Sequence, residues 1–447
     1  MTASSSSSFP APLLAPGPGA LGSVGYGLGF VRDPFGVLHG APEKFGPIVR
    51  FGKGARCVHL IHHPRHVQRV LIDNNRNYEK SSPFGMMKVL FGRGLLFNEG
   101  PSWFAQRRLM QPSFGSKGIA GVSAGIANAI SEVVETWPTQ EARTVDLEDE
   151  MTILARRIIG QLLFSSPMSP EYVAILESVG SKLNFFLGQL PHTPQNRGYH
   201  ALNSRADAAV YALIAERRAS TQESSDMLGF LMDTRDKDSG EGMDDTQVRD
   251  EIVTLLFAGF DTTSRTLSWV FHALSHNPKI EADFHAEIDR VLQDHTPTLA
   301  DLPNLPLTTM IIKETMRLFP ANPIIGRRAK SDDTIDGFHI PAGSFLTISP
   351  YLAQRSPELW ENPLQFDPQR FSPENEKKID KFAYYPFGGG PRQCIGKGLA
   401  MMTIPLALAT IAQRYRFAAT PGFKVKGDIK VTFQSKHGVP ATRHPRM

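Results

Sequence analysis

The chain has 447 residues, 41% hydrophobic and 21% charged, so it can bury a sizeable core. A formal charge of +4, with no lysine- or arginine-rich run, argues against nucleic acid as a partner. Two cysteines, Cys57 and Cys394, exclude a disulfide framework or a four-thiolate zinc site.

Residues 1–30 read as a flexible leader rich in Ser, Pro and Gly, and 31–447 as a single domain. The leader lacks the charged start and apolar stretch of a signal peptide, and its first basic residue is Arg32. No stretch approaches the roughly 20 apolar residues of a membrane span. A cytoplasmic protein without a membrane anchor is the expectation. Gly17–Gly22 spells a dinucleotide fingerprint, but it follows no strand and contains proline, so it is set aside.

Ile48–Leu60 reads as a hairpin broken by Gly52-Lys-Gly54, with Cys57 a buried, inert thiol. Pro64 opens a helix carrying Val67, Val70 and Leu71 on one side. His59, His62, His63 and His66 resemble a metal cluster, but Pro64 breaks the helical face they would need. From about Gly118 to Met232 the pattern is helical, with breaks near 165–170 and 191–198, and Arg235–Asp245 is a solvated loop. The longest predicted helix runs from about Thr246 to His276, capped by Asp244 with Gln247 and stopped by Pro278. Strands return at Thr334–Ile348 and Lys430–Ala441. The fold class is mainly α with a smaller β portion.

Chemistry-bearing residues stand out against this frame. Trp103 and Arg107 lie four apart on a helix, an indole donor and a guanidinium able to face one anion. Ala258-Gly-Phe-Asp-Thr-Thr263 sits mid-helix, where Gly259, Asp261 and Thr262 oppose helix propensity. Gly259 would leave room for a small molecule or a local widening of the helix. A threonine bonding back to its own helix is the plainer alternative. Glu314 and Arg317 form an i,i+3 pair, and Arg370 follows in Phe366-Asp-Pro-Gln-Arg-Phe371. In Gly326-Arg-Arg-Ala, a strand would aim Arg327 and Arg328 to opposite faces. Last comes Phe387-Gly-Gly-Gly-Pro-Arg-Gln-Cys-Ile-Gly396, a glycine-loosened loop presenting one thiol. A lone thiol suits the axial position of a haem iron.

In that loop Phe387, Gly390, Arg392, Cys394 and Gly396 match the haem-binding signature of the cytochrome P450 family, and the chain resembles its unanchored bacterial members from about Gly46 to Arg443. The resemblance implies the cytochrome P450 fold and haem b, with Cys394 as its metal ligand and Phe387, Gly388 and Ala258 beside it. It implies that Trp103, Arg107, Arg327 and Arg392 meet the propionates. Asp261 and Thr262 would be the catalytic acid–alcohol pair that handles protons. Glu314, Arg317 and Arg370 would form a buried network scaffolding the cysteine loop, although Gln369 stands where glutamate is commoner.

The implied function is a monooxygenase that inserts one atom of O2 into a C–H bond or double bond of a hydrophobic molecule. Terpenoid, steroid, fatty acyl and polyketide-like substrates stay open. The pocket walls implied are Phe84, Met87, Phe185, Phe186, Ala258, Ile324, Phe433 and Gln434. Electrons would come to a monomer from a ferredoxin and its reductase, docking by charge around Arg107, Arg108, Arg392 and Lys397. A peroxide-driven peroxygenase and a non-catalytic haem sensor or carrier are the alternatives, and retention of Asp261 and Thr262 argues against both.

Overall fold

The structure, a computed structural model, describes residues 13–54, 57–80, 91–168, 173, 197–220, 226–429 and 432–446. Its first described element departs from expectation. Residues read as flexible leader form helix α1 (Ala20–Arg32), despite four glycines, and no residue of α1 is buried. The chain before it is tied down by the sheet. Arg50 N donates to Pro16 O at 2.8 Å, and Leu14 makes a β-bridge with His339. After α2 (Pro34–Phe45), the predicted hairpin forms from β1 (Ile48–Phe51) and β2 (Val58–Ile61), paired antiparallel. Helix α3 (Pro64–Gln68) passes into a wide π-turn at Arg69–Asp73, which buries Val70 and Leu71.

Strand β3 (Tyr78–Lys80) closes one edge of a five-stranded sheet ordered β1-β2-β8-β5-β3, with β5 at Ile325–Ala329 and β8 at Phe345–Ile348. The predicted strand 334–348 is thus three: β6 (Asp333–Ile335) and β7 (Phe338–Ile340) form a separate hairpin before β8. Its two-residue turn, Asp336-Gly337, has positive φ at both residues, the turn that matches strand twist.

The helical body begins with α4 (Gly100–Met110), α5 (Ser116–Glu135), and, after β4 (Arg143–Asp146), α6 (Leu147–Phe164). Then follow α7 (Arg197–Ala219), α8 (Met227–Asp233) and α9 (Asp245–Ser275). Asp244 caps α9, accepting from Gln247 N at 2.7 Å as its spacing predicts. At 31 residues α9 is about 46 Å long and runs through the core, packed against α6, α10 (Pro278–Leu292), α11 (Pro306–Leu318) and α14 (Lys397–Arg414). Pro278 does more than stop α9: it is the first residue of α10, where its missing N–H costs nothing. Short helices α12 (Pro350–Ala353) and α13 (Pro373–Glu376) lead to the cysteine loop. The chain ends in β9 (Tyr415–Ala419), β10 (Gly427–Ile429), β11 (Phe433–Ser435) and β12 (Pro440–Pro445). The C-terminal strand expected at 430–441 is therefore split between two sheets, β10-β11 and β4-β12-β9.

Candidate active site

The loop before α14 is folded by its own backbone. Cys394 N donates to Phe387 O at 3.0 Å, Gln393 N to Gly390 O at 3.0 Å, and Gly388 N to Tyr385 O at 2.9 Å. Gly388 and Gly390 take φ of +70° and +69°, a region L side chains avoid. A Cβ on Gly390 would lie 1.9 Å from Leu71 O, so the π-turn and the loop interlock only because no side chain intervenes. Cys57 is fully buried beside Ser344, whereas Cys394 is exposed. Burial pushes this thiol's pKa up, against the pull of the Gly396 N–H, Arg107, Lys80 and the Lys397 N–H. A thiol so placed stays protonated until a metal cation takes the proton's position. The N–H groups aimed at the sulfur are those that tune a bound thiolate.

Beside the loop four cations converge. Arg392 stacks 3.6 Å from the Trp103 ring centroid, pairs with Glu99 and donates to Asn98 O at 3.0 Å. Arg107 donates to Gln393 O at 2.8 Å, and its guanidinium lies 5.8 Å from the same indole. Arg327 is buried on β5, bonded to Gly326 O, while Arg328 is exposed on the opposite face as strand alternation requires. Sequence reading missed the fourth, Lys80, which stands opposite Arg327 in the β3–β5 register and donates to Leu96 O at 2.5 Å. Burial pulls Lys80 down to about 7, helped by Arg392 and Arg327. Burial likewise brings Arg327 and Arg392 to about 10, with Glu99 opposing both. Its only signal in the sequence was a charged residue closing a strand. Four crowded cations facing one carboxylate fit the two propionates of haem b, and the cysteine beside them fits its iron.

On α9, Thr262 Oγ donates to Ala258 O at 2.7 Å, the plainer of the two sequence readings for that hydroxyl. Asp261 is engaged elsewhere, by Arg265 Nε at 3.1 Å and Thr432 Oγ at 2.5 Å. Gly259 has a different task from the one expected. A Cβ there would lie 2.7 Å from Ile159 Cδ1, and α9 is α-helical throughout, so this glycine serves the close approach of α6 rather than a widening.

Glu314 and Arg317 are fully buried and doubly bonded, at 2.6 and 2.8 Å. Arg317 also donates to the carbonyls of Gln354, Pro363 and Gln365, and Glu314 accepts from Asp367 N at 2.8 Å. Arg370 Nε approaches Glu314 at 3.5 Å while its Nη2 bonds Asn362 O. Gln354, unnoticed in the sequence, links this network to the cysteine loop. Its amide donates to Met316 O and Arg317 O, and its Oε1 accepts from Tyr385 N at 3.1 Å.

The expected pocket walls fare differently. Phe84, Met87, Phe185 and Phe186 lie outside the described residues. Phe433 is buried among Phe35, Tyr351, Trp269 and Phe319. Gln434 beside it is buried, and Ile324 is half-buried at the edge of that cluster. An apolar patch that sequence reading missed joins Phe91 and Phe97, stacked at 4.7 Å, to Phe257 of α9. The expected docking cations divide. Arg107 and Arg392 turn inward, and Arg108 is paired with Asp236 and Asp238 at 2.5 and 2.9 Å. Lys397 and Phe104 are exposed.

The profile of the Cytochrome P450 family matches residues 15–435. Cyclooctat-9-en-7-ol 5-monooxygenase of Streptomyces melanosporofaciens is 33% identical over 91% of this chain and 90% of that protein. Pentalenene oxygenase of Streptomyces avermitilis is 31% identical over 92% of both. The heme domain of cytochrome P450DA shares the fold, with a TM-score of 0.89 at 24% identity over 98% of each chain. The chain belongs to the cytochrome P450 family. It is a haem-thiolate monooxygenase that acts on a hydrophobic substrate. Among the described residues no helix is long and apolar enough to cross a membrane, and no group of three or more His, Cys, Asp and Glu could hold a metal ion.

Proposed function

We propose that this enzyme hydroxylates a cyclic terpenoid, as a cytoplasmic monomer fed by an acidic ferredoxin. The observation that carries the substrate class is the similarity, over nine-tenths of the chain, to oxygenases named for cyclooctat-9-en-7-ol and pentalenene. Half-buried Phe257 of α9, backed by the buried rings of Phe91 and Phe97, supports it, since a polycyclic hydrocarbon needs apolar walls and few polar handles. Cys394 would hold the iron of haem b and Arg107, Arg327, Arg392 and Lys80 its propionates, and the group bound there would supply oxygen activation. The protein's own part is to exclude water, orient the hydrocarbon and move protons. Thr262 would pass a proton once its hydroxyl turns away from Ala258 O, and Asp261 would renew that proton from solvent.

For the electron donor, Lys397 and Phe104 give an exposed cation and an exposed ring near the cysteine loop. Titrating the ferric enzyme with terpenoids, steroids and fatty acids, and following the Soret band as substrate displaces water, tests the substrate class. Terpenoids should give the shift, and the same compounds should gain one oxygen under NADPH with a surrogate ferredoxin and reductase. A shift and product from fatty acids or steroids alone would overturn it. Lys397→Glu should slow reduction and weaken its salt dependence more than Arg108→Glu, whose guanidinium is already neutralised by two aspartates.

A further inference from the structure

Both oxygens of Asp261 are held by groups outside the acid–alcohol pair. Oδ1 accepts from Arg265 Nε at 3.1 Å, and Oδ2 from Thr432 Oγ at 2.5 Å, the length of a strong charge-assisted hydrogen bond. Arg265 reaches on to Glu148 Oε2 at 3.2 Å, and Glu148 accepts from Ser435 N at 2.7 Å and Ser435 Oγ at 2.9 Å. Thr432 and Ser435 bracket Phe433-Gln434, and all four are buried. The contacts close a ring: Asp261, Arg265, Glu148, Ser435, back along β11 to Thr432, and to Asp261 again. Trp269 Nε1, donating to Phe433 O at 3.2 Å, fastens β11 to α9 within that ring.

We propose that Thr432 is a positioning residue for Asp261. This rests on the acid–alcohol reading above and assigns the acid's orientation to the C-terminal strand. Arg265 alone would fix one oxygen and leave the carboxylate free to turn about its terminal torsion. The second contact, from a buried hydroxyl, fixes the plane. A hydroxyl suits a proton carrier because it can donate to the carboxylate and, after its rotor turns, accept from the protonated acid. Asp261 can then pass through both protonation states without leaving its place, one proton arriving from solvent for each one passed on.

Thr432→Val removes the hydroxyl at nearly constant shape, and Thr432→Ser keeps it. The haem-loaded full chain is reduced by NADPH through a surrogate ferredoxin and reductase, without substrate. The measurements are the partition of electrons between hydrogen peroxide and water and the solvent deuterium isotope effect on NADPH oxidation. The infrared carboxylate band lost in Asp261→Asn gives a readout independent of turnover. Thr432→Val should shift that band, raise the peroxide fraction several-fold and enlarge the isotope effect, with haem content and the ferrous carbonyl spectrum unchanged. Thr432→Ser should restore all three, and Thr432→Val should add nothing to Asp261→Asn. An unchanged band and peroxide fraction, or a serine variant that behaves like valine, would overturn the inference. If Thr432→Val takes up no haem, Thr432→Ala carries the same test. A wild type insensitive to Asp261→Asn would instead remove the acid–alcohol reading, whereas an Asp261→Asn effect not shared by Thr432→Val removes only the role of Thr432.

Discussion

The cysteine loop and the aromatic cluster against α9 are built by different rules. On the cysteine side nearly every residue is specified by its chemistry. Gly390 has φ of +69° and an interlocked carbonyl, Arg317 makes five polar contacts in full burial, and Arg392 stacks on an indole. On the α9 side Phe91 and Phe97 pack in the core against Phe257, where size and polarity matter more than identity. The difference teaches where selection for chemistry acts. A fixed reaction needs one arrangement of donors, while substrate choice needs only a shaped apolar surface.

The most severe way to break the cysteine side is Cys394→Ser. Stability of the chain should change little, because Cys394 is exposed and serine nearly keeps its size. Yet the ferrous carbonyl should lose its unusually red-shifted absorption, and turnover should vanish. An unaltered spectrum would refute the ligand assignment. Next comes Arg317→Met, which leaves Glu314 buried without its partner. The expected loss is about 3–5 kcal/mol in chemical denaturation, the cost of stranding a buried charge. Glu314→Gln with Arg317→Met, which removes both charges, should recover part of it. Gly390→Ala should cost roughly 1–3 kcal/mol from the backbone and a further roughly 1–3 kcal/mol from the clash with Leu71 O. Phe257→Leu on the other side should leave stability nearly unchanged and alter which terpenoids shift the Soret band.

The same contrast explains what could be read from the residues alone. Cys394, Arg392, Trp103, Arg107 and Arg327 could be singled out because family motifs carry them, and the structure brings Trp103, Arg107 and Arg392 together at the cysteine loop. The cap at Asp244 and the hairpin at 48–61 were legible because caps and turns have local chemistry. Lys80 and Gln354 were not, since each acts through residues distant in sequence and neither breaks a local rule. Gly259 was misread for a related reason: a glycine in a helix can serve a cavity or a neighbouring helix, and only the position of Ile159 decides. The burial of Phe433 among four other rings was not legible, because an aromatic in a strand fits a core as well as a pocket wall. Helix α1 was missed because its four glycines hide a segment pinned from outside, by β1 and β7.

Where the two sides meet, a buried acid offers the gentlest test. Glu251 of α9 is fully buried, accepts from Leu95 N at 2.9 Å and from the Gln106 amide, and thereby clamps the segment carrying Phe91 and Phe97 onto α4 and α9. Gly94 permits the approach, since a Cβ there would lie 1.9 Å from Thr254 Oγ. Burial raises Glu251 to about 8, the two donors pull it down, and Asp250 pushes it further up. The neighbouring cation, Arg249, is taken by Asp207 and Asp250. Because the folded-state value exceeds the ordinary 4.5, the folded chain binds a proton that the unfolded chain releases between those values. Its contribution to stability is therefore full below pH 4.5 and is lost as pH rises toward about 8, at no more than about 1.4 kcal/mol per pH unit. Glu251→Gln should abolish that slope. Its amide satisfies only one of the two donors, so near pH 5 the variant should be less stable by about 1 kcal/mol. The two stability curves should then approach or cross toward pH 8 in urea titrations. Parallel curves across that range would show that Glu251 is ionised throughout, and that the clamp holds a charge rather than a proton.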